Sequence, residues 1–87
     1  MKVNYHKNFI KSYRKRILHN ASLDRKFKER LKLFIENNKN TILKDHALKG
    51  KKLNFRAFSI TGDIRAIYEE VDNGILLLDI GTHNQVY

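Results

Sequence analysis

The sequence predicts an α+β fold: a short N-terminal strand, an αα-hairpin, then a three-stranded antiparallel meander. Two observations carry this. Apolar residues recur at helical spacing between Phe9 and Ile35, and at a spacing of two after Leu53. Near the end, Asp72-Asn73-Gly74 is a hairpin signal, because Asn and Gly tolerate the positive φ that tight turns require. At 87 residues the chain has room for one domain, residues 1–87, with a modest core. A chain of this size buries only about 60% of the surface its unfolded form exposes.

Each element follows from its pattern. Lys2 to Tyr5 alternate basic and apolar, as a short edge strand does. From Asn8, Phe9, Ile10, Tyr13 and Ile17 form an apolar stripe, and Lys11, Arg14, Lys15 and Arg16 make a basic outer face. His19 to Ser22 breaks the period, and Ser22 is the expected N-cap of a second helix. That helix carries Leu23, Phe27, Leu31, Phe34 and Ile35 inward and ends at Asn37 to Asn40. Residues 41–52 read as a loop with a turn at Gly50. Leu53, Phe55 and Ala57 then alternate with Asn54 and Arg56, and Thr61-Gly62-Asp63 turns the chain. Ile64, Ala66 and Tyr68 alternate with Arg65 and Ile67. The run Ile75 to Ile80 is expected to be an interior strand buried on both faces, ended by Gly81.

Composition removes several functions. There is no cysteine, so a disulfide framework, a thiolate metal site and a cysteine nucleophile are excluded together. The four histidines lack metal-ligand spacing and no carboxylates cluster with them, so neither a metal site nor a cofactor is expected. Gly50 and Gly62 are isolated, unlike a phosphate-binding loop, and Ser59 has no nucleophile elbow around it. The longest apolar run, Ile75 to Leu78, is too short to span a bilayer, and the first residues lack the apolar stretch of a signal peptide. The expectation is a cytoplasmic protein with no membrane partner.

Charge is the most informative quantity. Residues 1–56 hold seventeen of the eighteen basic residues and four of the nine acids, a net +13. Residues 57–87 hold Arg65 against five acids, a net −4. The basic first half is an electrostatic footprint for a polyanion, nucleic acid above all.

Three clusters can carry chemistry. The first is the loop Lys44-Asp45-His46-Ala47-Leu48-Lys49-Gly50-Lys51-Lys52 leading into Arg56, an imidazole among cations. Taken alone, His46 there reads as an ordinary surface histidine. The second is Gly62-Asp63-Ile64-Arg65. Arg65 either pairs with Asp63, Glu69 or Asp79, or presents its planar fork to a phosphate. The third is Gly81-Thr82-His83-Asn84-Gln85-Val86-Tyr87, which reads either as a polar tail or as a site edge.

Together with Phe55-Arg56 and the strand Ala66-Ile67-Tyr68, these motifs resemble the RelE/ParE toxin superfamily, and most closely its YafQ-like branch of type II toxin–antitoxin mRNA interferases. Order and spacing agree over residues 41–87. The resemblance implies two helices on a twisted sheet with the active site on its concave face. It also implies an endoribonuclease that cuts mRNA in the 30S A site of the ribosome and is silenced by an antitoxin. Carried over motif by motif, the loop histidine is His46, the turn aspartate Asp63, the Gly-Thr-His histidine His83 and the C-terminal aromatic Tyr87. Ser59 stands where the branch often has a further histidine, and Ile64 where it often has tryptophan.

RNA supplies its own nucleophile, the 2′-OH, so cleavage needs a base, an acid and cations for the phosphorane. His46 and His83 are the proton-exchanging candidates, and Arg65, with Lys49 or Arg56, the charge-neutralising one. Tyr87 is placed to stack on a base or orient the substrate. Lys49, Lys51, Lys52 and Arg56 are the expected RNA-binding cations. The partners expected are ribosome-bound mRNA and an antitoxin with an acidic contact segment. The alternatives are a ParE-like gyrase inhibitor that performs no chemistry, whose branch generally lacks the His46/His83 combination, and a catalytically weak RNA-binding protein of the same fold.

Overall fold

The computed structural model describes residues 1–50 and 54–87; Lys51, Lys52 and Leu53 lie outside the described residues. The elements run β1 (Lys2–Tyr5), α1 (Lys7–Arg16), α2 (Ala21–Glu36), β2 (His46–Ala47), β3 (Phe55–Ser59), β4 (Ile64–Val71), β5 (Gly74–Thr82) and α3 (His83–Val86). They form one sheet in the order β1-β5-β4-β3-β2. β1 pairs parallel to β5, and the other neighbours are antiparallel. The predicted strand, helix pair and meander are all present, and β1 is an edge strand as expected. Among the described residues no helix is long and apolar enough to cross a membrane.

The stretch read as a loop is more ordered than its composition suggested. A 3-10 turn occupies Thr41–Leu43, capped by the Asn40 side chain, which accepts from the Ile42 amide at 3.0 Å. Lys44 then takes the left-handed conformation (φ 49°) and directs the chain into β2, which adds a fifth strand at the far edge.

The cap of α2 also differs from expectation. Asn20, not Ser22, is the N-cap: its side-chain oxygen accepts from the amides of Ser22 and Leu23 at 3.1 and 3.2 Å. Ser22 lies inside the first turn, where its amide is one of the orphans being satisfied. Asn20→Ala should therefore cost about 1 kcal/mol of stability. Ser22→Ala, at an exposed position, should stay within about 0.5 kcal/mol. Urea unfolding of the two variants checks the assignment, and equal losses would contradict it.

Both helices cover one face of the sheet. Phe9, Ile17, Phe27 and Phe34 pack there with Leu43, Phe58, Ile60, Ala66, Tyr68, Ile75, Leu77 and Ile80. The Phe34 ring stacks on Phe58 with centroids 4.7 Å apart and meets Tyr68 edge-on at 5.1 Å.

In two strands the packing settles what alternation alone leaves open. In β3 the helix-facing residues are Arg56 and Phe58, while Phe55 and Ala57 lie on the opposite face. The apolar alternation is real, but it belongs to a second, smaller cluster of Ala57, Ile67 and Val86 with Leu48, Phe55 and Leu78. In β5 a bulge makes Tyr68 face Leu77 and Ile67 face Asp79, leaving Leu78 as the extra residue. Ile75, Leu77 and Ile80 consequently share the helix side, while Leu76 and Leu78 are only half-buried. The strand is interior, but it is not fully buried on both faces.

Nor does Gly81 end that strand, which continues to Thr82. Gly81 leaves room for two side-chain ends: a Cβ there would lie 2.6 Å from the Gln85 side chain and 2.9 Å from Arg16 Nη1, so both would have to shift. The Arg16 guanidinium donates to the Ile80 carbonyl at 3.0 Å and pairs with Asp79 at 3.3 Å, closing the edge of β5 beyond the end of β1. Gly74 has a similar role. The positive φ of the last hairpin falls on Asn73 (65°), while a Cβ on Gly74 would stand 1.8 Å from the Lys2 carbonyl oxygen of β1.

Candidate active site

The sheet face opposite the two helices is assembled by register. His46 stands beside Ala57 and Ala57 beside Ile67; Ser59 stands beside Arg65 and Arg65 beside Gly81. Directly opposed residues share a face, so His46 and Arg65 emerge on the same side. α3 then crosses this face. Its Val86 is buried against Ala57 and Ile67 and so fixes where Tyr87 begins.

Tyr87 is the meeting point. Its hydroxyl lies 3.4 Å from His46 Nε2. Its ring is met edge-on by the His83 ring, with centroids 4.4 Å apart and planes at 88°. The Arg65 guanidinium carbon lies 5.6 Å from the Tyr87 centroid, within reach of the ring's negative face. His46, His83 and Tyr87 are all exposed, so the cluster is open to a large substrate.

The hydrogen bonds dictate a tautomer. His46 Nδ1 lies 2.8 Å from the Lys44 carbonyl, which can only accept. In the neutral imidazole the proton is therefore on Nδ1, and Nε2 is left as an acceptor turned toward the Tyr87 hydroxyl. That places a basic nitrogen at the accessible end of the ring.

Arg65 resolves one of the alternatives left by the sequence. Asp79 is engaged by Arg16, and among the described residues no ion pair joins Arg65 to Asp63 or Glu69. The Arg65 Nε is buried and has no hydrogen-bond partner among the described residues. The guanidinium lies against the Tyr87 ring on the face it shares with His46, where its planar fork suits an incoming oxyanion. Among the described residues no group of three or more His, Asp or Glu side chains is arranged to hold a metal ion.

The bacterial type II toxin–antitoxin toxin family YafQ matches the chain over residues 1–87. This chain belongs to the YafQ family. Among solved structures, a copper-bound mutant toxin from Helicobacter pylori is 31% identical, with a TM-score of 0.82 over 100% of this chain and 99% of that one. YafQ in the E. coli DinJ–YafQ complex is 23% identical, with a TM-score of 0.75 over 99% and 97% of the two chains. A YoeB/ParE toxin from Agrobacterium tumefaciens shares the fold at 17% identity, with a TM-score of 0.77 over 95% and 99%. Among curated proteins no sequence matches the chain significantly.

The other predicted site residues of this YafQ-family chain fall in different places. Asp63 sits in the exposed β3–β4 turn, where the Thr61 hydroxyl accepts from the Asp63 and Ile64 amides at 3.2 and 3.0 Å. Ile64 pairs with Thr82, so Asp63 occupies the same end of the sheet as His83. Lys49 is exposed just beyond β2, next to the face, and Lys51 and Lys52 lie outside the described residues.

Arg56 emerges on the opposite side of the sheet from His46 and Arg65. It lies on the helix side of β3, donating to the Tyr68 hydroxyl at 3.1 Å and pairing with Asp45 at 3.3 Å. The period-two pattern that puts Arg65 on the site face puts Arg56 on the other. The hydrogen bond to Tyr68 and the adjacent Asp45 carboxylate hold its guanidinium firmly protonated. Burial, reinforced by Asp45, pushes the Tyr68 phenol well above its usual range. Sequence reasoning missed Asp45 and Tyr68. The available signal was that Asp45 is the one acid in a loop of cations.

Proposed function

We propose that this toxin is an endoribonuclease that cleaves mRNA on the ribosome and thereby stops translation. The observation that carries the reading is the convergence of His46, His83 and Arg65 around Tyr87 on one accessible sheet face. In-line attack needs only those groups. One imidazole takes the proton of the RNA 2′-OH as the O2′–P bond forms. The other protonates the leaving 5′-oxygen as the P–O5′ bond breaks, giving a 2′,3′-cyclic phosphate and a 5′-hydroxyl. The neutral tautomer of His46, with Nε2 unprotonated and facing the Tyr87 hydroxyl, suits the base, and His83 the acid. Arg65 neutralises the crowded phosphorane, and Tyr87 orients the substrate or stacks on a base. Asp63, at the same end of the sheet, is within the substrate's path, and Lys49 holds the RNA backbone beside β2.

An antitoxin is the second partner. That E. coli YafQ crystallises with DinJ supports one for this chain, and the net +13 of residues 1–56 favours an acidic contact segment. Induction in a bacterial host should arrest growth and yield cuts in ribosome-bound mRNA with cyclic-phosphate ends; undiminished translation by folded protein would overturn the reading. Loss of gyrase supercoiling with mRNA intact would instead favour a ParE-like inhibitor, a fold neighbour that acts without chemistry.

A further inference from the structure

We propose that Asp45 is a positioning residue: by holding Tyr68 and Arg56 from inside the protein, it fixes the short strand that presents His46 to Tyr87. The proposal rests on the catalytic reading above. Asp45 accepts from the Tyr68 hydroxyl at 2.6 Å through one carboxylate oxygen and from Arg56 Nη2 at 3.3 Å through the other. Arg56 Nε in turn donates to the Tyr68 oxygen at 3.1 Å, closing a triangle of three side chains. The Asp45 side chain is 9% exposed, although it lies in the most cationic loop of the molecule.

The anchor is rooted in the core. Tyr68 is 1% exposed, and its ring packs against Phe34 and Phe58 with centroids 5.1 and 5.8 Å away. Arg56 and Tyr68 are register partners on the helix side of β3 and β4. Asp45 immediately precedes His46, and successive residues of an extended chain project to opposite faces. Seating Asp45 inward therefore sends His46 outward.

β2 needs such an anchor. It has two residues, with ladder pairs at His46↔Ala57 and Ala47↔Arg56 and a bond from the Leu48 amide to the Phe55 carbonyl at 2.9 Å, few ties for a strand that presents a catalytic group. On the other side of Asp45, Lys44 is left-handed and its carbonyl meets His46 Nδ1 at 2.8 Å. The same backbone thus sets the ring's position and its tautomer. Removing one member of a buried polar pair strands the others, so the loop moves rather than relaxing in place.

The test uses Asp45→Asn and, because that variant can lose stability, Tyr68→Phe, which keeps the ring in the core. With both proteins folded, kcat for cleavage of ribosome-bound mRNA should fall ~10–100-fold with KM unchanged, the scale expected for a misplacement of about 1 Å. Nuclear Overhauser contacts between the His46 and Tyr87 rings should vanish while those between Phe34 and Phe58 persist. Adding either change to His46→Ala should produce no further loss, because the effect passes through that ring. Losses that multiply in the double variants, or an unchanged His46–Tyr87 contact in the single ones, would overturn the proposal. If the native protein cleaves no RNA, the catalytic reading fails and the ring contacts alone decide the positioning role.

Discussion

His83→Ala should abolish growth arrest on induction while leaving antitoxin binding intact. His83 opens α3 directly after β5, an interior strand, and the turn between them is held by the Gln85 side chain, which accepts from the Thr82 amide at 2.8 Å. Its ring is braced against Tyr87. A group held this firmly loses little order when substrate arrives, which favours it as the acid of the proposed mechanism. Loss of a general acid or base costs ~10²–10⁴ in rate. Growth curves at matched expression, followed by cleavage assays on ribosome-bound mRNA, measure this. A fully toxic His83→Ala beside an inactive Arg65→Ala would mean that the site works by cationic charge and that the histidine assignment is wrong.

Arg65→Ala should be as damaging to activity and almost harmless to stability. On the proposed mechanism Arg65 is the cation that meets the phosphorane, and withdrawing it should cost ~10²–10³ in rate, by analogy with removal of an oxyanion donor. Arg65→Lys should rescue little, because an ammonium cannot reproduce the planar fork. In the folded state, however, the buried Nε has no partner among the described residues, and an unmatched buried donor costs about 1–3 kcal/mol. Truncation removes that penalty along with the contact to the Tyr87 ring. The unfolding free energy is therefore expected to stay within about 1 kcal/mol of the parent or to rise. An inactive variant that is also strongly destabilised would assign Arg65 a structural role instead.

The combination of legible and illegible features has a physical pattern. His46, Arg65, His83 and Tyr87 were legible as candidates from motif order, and the structure gathers all four on one face. Arg56 was legible as a cation but not as the partner of Asp45 and Tyr68. Its neighbours Phe55 and Ala57 resemble a core-facing alternation, and only the cluster under Val86 shows that they line the other face. Asn20 and Ser22 are both good cap residues, and the choice between them depends on which backbone conformation starts the helix.

By itself, then, the sequence determined the order of elements, the helix stripes, the last hairpin and the excess of positive charge. Those properties are local, because a period of 3.6 or 2 and a turn dipeptide depend on residues within a few positions of one another. Only the tertiary structure decided the face of β3, the bulge at Leu78, the fifth strand and the contact between Tyr87 and His46. Those depend on partners far along the chain. Arg16 and Asp79 are separated by 63 positions, and His46 and Tyr87 by 41. A local pattern shows that a side chain has an apolar or charged neighbourhood, but which distant group fills it is decided by register and packing, once all the strands compete for the same core.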